Sequence, residues 1–236
     1  MRKNITPKSL LYKIYLFYDL YVHHLCLKKK KSYSQHREDL FLMDYFKDKS
    51  KGFYIDIGCY HPIKYSNTAL LFQKGWNGIN IDMNVASIDL FNIIRPNDIN
   101  ICASLSDKDE NVFAYYDHFF SPINSLKEKF SDFASNNISF RKHKKYEVKT
   151  TTFDKIIKTK GISIPKIDFL NIDVEGVDLE VLQGFNLDKY KPELICIEMW
   201  DIDGTINEDK HVTFLNKYGY TLLKKLGPNG MFVLKK

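Results

Sequence analysis

The amino-acid sequence predicts an α/β fold with a mostly parallel sheet and helices on both of its faces. Two observations lead to this prediction. Strand-like and helix-like segments alternate from about residue 34 to the C-terminus, and parallel strands joined by crossover helices produce such an alternation. Three strand-like segments are also almost wholly apolar, as strands buried on both faces of a sheet must be. These are residues 53–57, 167–172 and 194–197.

The elements follow from apolar periodicity and from the residues that end each segment. Glycines at positions 75 and 184 follow two of the helical patterns, as glycines commonly follow helix C-termini. The segment Gly227-Pro-Asn-Gly230 is typical of a turn, so the last two strands are predicted to form an antiparallel hairpin at one edge. Helices are predicted over residues 34–46, 67–74, 85–94, 153–160, 178–183 and 212–218, and strands over 53–57, 78–82, 99–105, 111–116, 147–152, 167–173, 194–198, 219–223 and 231–234.

Positive charge is concentrated at the N-terminus. Residues 1–31 carry eight of the 35 lysines and arginines and one of the 29 acids, which leaves residues 32–236 with a formal charge of about −1. An enzyme of nucleic acids needs a basic domain to hold phosphates. We therefore expect no nucleic-acid partner.

The N-terminal segment has two interpretations. Four polar residues interrupt the apolar stretch 10–27, which is unlike a membrane-spanning helix, and no small-residue cleavage site follows, which is unlike a signal peptide. The segment either forms a helix that packs on the main domain or on a second subunit, or makes peripheral contact with an anionic membrane through residues 9–31. The four polar residues are Lys13, Asp19, His23 and His24.

The length of 236 residues suits one α/β domain with an N-terminal addition. We predict a basic helical extension over residues 1–31 and the main domain over 32–236. Within it, residues 117–147 are polar, aromatic and basic with weak periodicity, and are predicted to be an insertion or lid that shapes the choice of substrate.

The four cysteines lie far apart, without a C-x-x-C pair or a Cys/His ligand cluster, which argues against structural zinc. Reduced thiols are expected, and with them a cytoplasmic location, peripheral at the inner membrane surface if the N-terminal segment binds lipid. The sequence leaves the oligomeric state open.

Acidic residues gather where the predicted strands end, the edge at which doubly wound sheets bind ligands. Asp82 closes the second strand, where an acid can accept hydrogen bonds from ribose hydroxyls. Each acid could equally cap the following helix through its N-terminal amides. Their array along one edge favours a shared ligand site. The acids are Asp56, Asp82, Asp173, Glu175 and Glu198.

The turn after the first strand contains one glycine, Gly58. A nicotinamide dinucleotide site typically needs three glycines in the pattern G-x-G-x-x-G, which cradles a pyrophosphate. A cofactor without phosphates, such as S-adenosylmethionine, fits this turn better.

Several motifs occur together and in a fixed order. The sequence resembles the FkbM family of S-adenosylmethionine-dependent methyltransferases from about residue 32 to the C-terminus, and the stretch Asp173-Val-Glu-Gly176 is the most specific match. The matching stretches include Ser34-Gln-His-Arg-Glu-Asp39, Gly52-Phe-Tyr-Ile-Asp-Ile-Gly-Cys-Tyr-His-Pro62, Ser66-Asn-Thr68, Gly75-Trp-Asn-Gly-Ile-Asn-Ile-Asp-Met-Asn84, Thr151-Thr-Phe-Asp154 and Ile167-Asp-Phe-Leu-Asn-Ile-Asp-Val-Glu-Gly176.

The resemblance implies a Rossmann-like class I methyltransferase fold and O-methylation, often of sugar hydroxyls on glycans or natural products. It implies that Asp56 and Gly58 line the methionine end of the cofactor, that Asp82 takes the ribose, and that Asp173 and Glu175 lie nearest the acceptor. It also suggests that Gln35 and Glu38 form part of the wall of the cofactor site, and that Ser104 lies near the adenine. Arg37 and Asp82 depart from the family's usual glycine and glutamate.

The predicted reaction is an in-line transfer of methyl to a sugar oxygen, in which a carboxylate takes the hydroxyl proton. Asp173 or Glu175 is the predicted base, and Glu198 or His61 is the alternative. No metal site is assigned, although a magnesium ion held by Asp173 and Glu198 is a lesser alternative. Two other classes stay open: a Rossmann-like enzyme with another nucleotide cofactor, and a non-catalytic binding module.

Overall fold

Most of the described chain belongs to regular elements around one large sheet. A computed structural model describes residues 9–25, 28–118, 120–200 and 208–235. The strands are β1 (Phe53–Ile57), β2 (Asn77–Asp82), β3 (Ile99–Cys102), β4 (Ser104–Leu105), β5 (Asn111–Tyr116), β6 (Lys144–Thr151), β7 (Phe169–Ile172), β8 (Leu194–Glu198), β9 (Tyr220–Leu226) and β10 (Asn229–Leu234). The α-helices are α1 (Leu10–Phe17), α2 (Glu38–Tyr45), α3 (Ala69–Gln73), α4 (Val85–Ile94), α5 (Glu128–Ala134), α6 (Phe153–Thr159), α7 (Asp178–Gln183), α8 (Leu187–Tyr190) and α9 (Glu208–Asn216).

Seven strands form the large sheet in the order β3-β2-β1-β7-β8-β10-β9. The first five are parallel to one another, and β10 runs antiparallel to both of its neighbours. This confirms the predicted α/β fold and its C-terminal hairpin. Because β10 pairs with β8, β9 is the edge strand.

The two faces of the sheet carry separate apolar cores, because successive side chains of a strand point to opposite faces. Ile55 and Ile57 of β1 pack on one face with Phe153 of α6 and Val181 of α7. Tyr54 lies on the other face with residues of α2 and α3. Each fully buried side chain of this size contributes about 1.5–3 kcal/mol relative to exposure. Helices therefore cover both faces, as predicted.

The prediction of a single strand over residues 99–105 is wrong, because two strands in different sheets occupy this range. The strand breaks at Ala103, whose N–H donates to Asp82 O at 2.9 Å, and the chain then leaves the large sheet. Beyond the break, β4 joins a three-stranded sheet in the order β4-β6-β5. Periodicity cannot detect such a break, since the apolar pattern continues through it.

The insertion at 117–147 has more structure than its weak periodicity suggests. It holds α5 and a π-helical turn, Ser135–Ser139, and β6 begins at Lys144, earlier than the predicted start at 147. Phe130 and Ala134 of α5 pack with Ile123 in a small core of their own. Residue 119 lies outside the described residues.

Several helix boundaries also differ from the predictions. The helix predicted over 34–46 begins only at Glu38, because Arg37 has a left-handed backbone with φ of 66°. Residues 32–34 instead wrap around Asp39, whose carboxylate accepts from Ser32 Oγ at 2.7 Å and from Tyr33 N at 2.6 Å. Helix α8 was not predicted, and α9 begins at Glu208 rather than at 212.

Within its described residues, the N-terminal segment contains α1 and a π-helical turn, Tyr18–His23. Tyr12, Leu16 and Leu20 pack against Ala86 and Leu90 of α4. No helix in the described ranges is long and apolar enough to cross a membrane. Residues 1–8 and Cys26 lie outside the described ranges, and Cys59, Cys102 and Cys196 are free thiols. Other large apolar side chains of the segment are exposed: Leu10, Leu11, Ile14, Phe17, Tyr18, Tyr21, Val22 and Leu25.

Candidate active site

Two cavities meet at the carboxyl ends of the parallel strands. The first is lined by Asp82 and Ser104, and the second by Gln35 and Asp56. Residues lining both cavities are Gly58, Tyr60, Pro122, Asp173 and Glu175. The ends of β1, β2 and β7 therefore bring most of the predicted site residues around one continuous cleft.

The turn after β1 is held very close to the end of β7. Gly58 has φ of 76°, and a Cβ placed on it would lie 1.7 Å from the carbonyl oxygen of Asp173. Its N–H donates to Ile81 O at 2.8 Å, and Asp173 N donates to Ile57 O at 3.0 Å. Only glycine combines this backbone conformation with this approach.

Asp56 lies below this turn, and both of its carboxylate oxygens have partners. Thr68 Oγ1 donates to Oδ2 at 2.6 Å, and Asn171 Nδ2 donates to Oδ1 at 2.9 Å. Asp56 and Asn171 are register partners on adjacent strands, which explains the second bond. Burial raises the pKa of Asp56, although Thr68 and nearby Arg95 oppose that effect.

Arg95 is fully buried beside this group. Its guanidinium donates to Thr68 Oγ1 at 2.8 Å and to Pro62 O at 2.8 Å. It also donates to Tyr54 Oη at 3.1 Å and to Ser66 Oγ at 3.1 Å. Arg95 therefore supports the floor of the second cavity through Thr68.

Asp82 closes β2, and its carboxylate accepts from two backbone amides. Asn84 N donates to Oδ1 at 2.7 Å, and Tyr60 N donates to Oδ2 at 2.9 Å. Burial raises the pKa of Asp82 to about 6. Asp82 thus connects the ends of β1 and β2, and it lines the first cavity together with Ser104, the first residue of β4.

Four acids lie together at the end of β8 and in the segment that follows β7. Burial, with the nearby Asp178, raises the pKa of Asp173 to about 8. Burial and the charge of Asp173 raise the pKa values of Glu175 and Glu198 well above their usual range. Burial also raises the pKa of Asp178 to about 7. This part of the site therefore favours protons or a cation.

Residues of strained backbone conformation border the cleft. Glu175 has φ of 56° and Tyr60 has φ of 50°, both in the left-handed region that glycine favours. Such conformations persist where the surrounding structure holds them, and they cluster at functional sites. Ser125 of the insertion donates to Glu175 O at 2.6 Å, so the insertion helps to hold the turn after β7.

Three sequence-predicted residues, Glu38, Glu198 and His61, line neither of the two cavities. Glu38 is buried, and its carboxylate accepts from His36 N at 2.8 Å and from Asn229 Nδ2 at 2.6 Å, so it connects α2 to β10. His61 faces the N-terminal segment, with Nε2 lying 3.1 Å from Asp19 Oδ2. Gln35, by contrast, lines the second cavity.

The acids could also hold a cation. Asp173, Asp178 and Glu198 each offer a carboxylate oxygen, and these oxygens lie within 4.8 Å of one another. Oxygen ligands of this kind suit magnesium. Asp178 already accepts from Val174 N at 2.9 Å and from Gly176 N at 3.1 Å, however, so it mainly holds the turn.

Three residues of the site were missed by sequence reasoning. Asp178, rather than Asp173, accepts the amides before α7, and its position at the predicted start of that helix was a usable signal. Asn171 is a polar residue inside an apolar strand, which also indicated a buried partner. Nothing in the local pattern marked Tyr60.

Fold and site together define a class: Rossmann-like α/β proteins that bind a ligand at the carboxyl ends of a parallel sheet. The family model for the methyltransferase FkbM domain matches residues 56–222, well over half of the chain. The chain therefore belongs to the FkbM methyltransferase family, and its fold is the class I methyltransferase fold. This confirms the resemblance seen in the motifs. Neither curated proteins nor solved structures yield a significant match to the chain.

The close approach at Gly58 predicts a large cost for any side chain there. Gly161 also has a positive φ, of 63°, but nothing lies within 4 Å of a Cβ placed on it. Gly161→Ala should therefore lower the free energy of unfolding by only about 1–2 kcal/mol, the cost of the backbone conformation. Gly58→Ala should lower it by more than about 4 kcal/mol, because backbone atoms must also move. Urea unfolding curves measure both, and equal losses would contradict the proposed constraint.

Proposed function

We propose that this methyltransferase takes its methyl group from S-adenosylmethionine and transfers it to an oxygen, a sugar hydroxyl of a glycan, glycolipid or related metabolite. The observation that carries this proposal is the pair of cavities that meet at Gly58, Asp173 and Glu175. One extends to Asp82 and the other to Asp56, which suits a cofactor with an adenosyl end and an amino-acid end.

Charge supports a cationic cofactor at this junction. The clustered acids have raised pKa values because burial and mutual repulsion disfavour their charged forms. The sulfonium of S-adenosylmethionine would bring a positive charge to the junction and relieve that repulsion. A nicotinamide dinucleotide would instead bring two phosphates to a turn that has one glycine.

The cofactor would lie with its ribose near Asp82 and its adenine near Ser104. Its methionine end would lie in the second cavity, near Gln35 and Asp56. Because both oxygens of Asp56 already accept hydrogen bonds, Asp56 would act mainly through its charge and by fixing Thr68 and Asn171. This leaves the methyl group at the junction of the two cavities.

Transfer is an in-line displacement, so the protein mainly has to align donor and acceptor. The acceptor oxygen forms the new bond to the methyl carbon as the carbon–sulfur bond breaks, and neutral S-adenosylhomocysteine leaves. The hydroxyl proton goes to a carboxylate, for which Asp173 and Glu175 are best placed because both line the junction. A carboxylate with a raised pKa is a stronger base than an ordinary one.

The insertion 117–147 would form the acceptor side of the cleft. Ser121, Pro122 and Asn124 line the first cavity, so this segment already forms one of its walls. Arg141, Lys142 and Lys145 border a wider cavity beside α5 together with Glu128 and Asp132, and an acidic or phosphorylated glycan would pair with the three basic side chains.

Calorimetry tests the cofactor. We expect S-adenosylmethionine and S-adenosylhomocysteine to bind the full chain and NAD not to bind. At pH 7.5, S-adenosylmethionine should release more protons than S-adenosylhomocysteine, because its sulfonium lowers the pKa values of the clustered acids. Titrations in buffers of different ionisation enthalpy measure this release. Binding of NAD alone would favour another nucleotide-cofactor enzyme, and binding of neither cofactor would favour a non-catalytic module.

The assignment of the base is tested by a pH profile. The base must be deprotonated to act, so kcat/KM for the cofactor should rise with pH and level off above about 8, the pKa of Asp173. The substitution that removes the base, whether Asp173→Asn or Glu175→Gln, should lower kcat by about 100-fold or more and remove this rise. The control Asp188→Asn, at an exposed position of α8, should keep the wild-type profile. Normal turnover in both site variants would overturn the assignment.

We further propose that the N-terminal segment contacts an anionic lipid surface, at the cytoplasmic face of a membrane. Its exposed apolar side chains include Leu11 and Phe17, which are 66% and 54% exposed. Lys28–Lys31 follow and are also exposed, so they can lie near anionic headgroups. A membrane-bound enzyme would meet a glycolipid acceptor directly.

Vesicle sedimentation tests this contact with the full chain. Leu11→Gln/Phe17→Gln should lower binding to anionic vesicles by about tenfold or more, because each exposed side chain contributes on the order of 1 kcal/mol or more when buried in lipid. The matched control Ile138→Gln/Phe140→Gln changes two exposed apolar residues of the insertion and should bind as the wild type does. Equal loss in both variants, or equal wild-type binding to neutral vesicles, would refute the proposal.

A further inference from the structure

A second group of ionisable side chains lies outside the proposed cleft, between the N-terminal segment and the turn after β1. Asp19, His23 and His24 come from the π-helical turn and the residue that ends it. With His61 they border a cavity of about 200 Å³ that also reaches Tyr60 and Lys64. The proposed methyl transfer uses none of the first three residues.

The ligand atoms of the group have the spacing of a metal site. Asp19 Oδ1 lies 3.5 Å from His23 Nδ1 and 3.6 Å from His24 Nε2. All three atoms lie within 4.8 Å of one another. Zinc bonds of about 2.0–2.1 Å in a tetrahedron place neighbouring ligand atoms about 3.3 Å apart. Small side-chain rotations would therefore bring the three atoms onto one ion.

His61 has a different role in this group, as its hydrogen bonds show. Its Nδ1 accepts from Ile63 N at 3.0 Å and from Lys64 N at 2.9 Å, so that nitrogen carries no proton. The neutral ring must then carry its proton on Nε2 and donate it to Asp19 Oδ2. A metal-ligating carboxylate is commonly oriented by such a partner. His61 thus fixes Asp19 and leaves Asp19 Oδ1 free to bind a metal.

We propose that Asp19, His23 and His24 bind one divalent transition-metal ion, with zinc as the best fit, and that a fourth position opens to the adjoining cavity. Two imidazoles and one carboxylate with an open position are a recurrent zinc-ligand set. The site is independent of the proposed methyl donor and acceptor. Because Asp19 is tied to His61, the ion would join the N-terminal segment to the turn that carries Tyr60.

Metal titration of the tag-free, metal-stripped full chain tests this site. We expect one zinc ion per chain with a Kd below about 10 µM. Zinc at 100 times its Kd should raise Tm by about 5 °C or more, because the ion binds only the folded chain. Cobalt should give the intense visible absorption of a tetrahedral site. A wild-type Kd above about 10 µM would overturn the proposal.

Substitutions assign the ligands. His23 is 53% exposed, so His23→Gln leaves the packing of the segment intact. His23→Gln and His24→Gln should each weaken zinc binding by about 100-fold or more and remove the rise in Tm. The control His36→Gln, at an exposed histidine beside Gly227, should bind zinc as the wild type does. Wild-type affinity in the double variant His23→Gln/His24→Gln would refute the ligand assignment, and apo-protein circular dichroism verifies that each variant is folded.

Discussion

The approach of the β1 turn to the end of β7 is the constraint on which the rest of the site depends. A Cβ on Gly58 would lie 1.7 Å from Asp173 O, so the two strand ends are nearly in backbone contact. This contact brings Asp56, below the turn, and Asp173, beyond β7, to the same cleft. It also makes the two cavities continuous, because both open beside Gly58. A side chain at position 58 would push the two strand ends apart and so separate the two cavities.

Crowding of acids follows from that arrangement and has an electrostatic cost. Asp173, Glu175 and Glu198 are half-buried near one another, and loss of hydration together with their mutual repulsion raises their pKa values. Repulsion among the charged carboxylates lowers the stability of the folded state, and a bound proton or cation reduces this repulsion. Hydrogen bonds from Val174 N and Gly176 N to Asp178 hold the turn in place despite it. The clustered acids therefore favour binding of a positively charged group at the place where the methyl group would be transferred.

Prediction from the sequence succeeded where one-dimensional patterns carry the information. The wholly apolar strands identified the centre of the sheet, and the family motifs identified a methyltransferase. Prediction failed where the apolar pattern of a segment continues although the strand with which it pairs changes. Residues 99–105 read as one strand, but Ala103 ends the pairing with β2 and Ser104 begins another sheet. Nor does any local pattern show that the carboxylate of Glu38 accepts from Asn229, near the far end of the chain.

The N-terminal segment shows most clearly which properties follow from the sequence and which arise only from the tertiary structure. The sequence by itself determined its basic charge, its apolar character and the polar positions that interrupt it, because these are properties of neighbouring residues. Only the tertiary structure decided that Asp19 meets His61, 42 positions away, and that His23 and His24 close around the same carboxylate. Such a group depends on how the segment packs on α4. Distances between residues far apart in the chain arise from that packing and leave no local pattern to read.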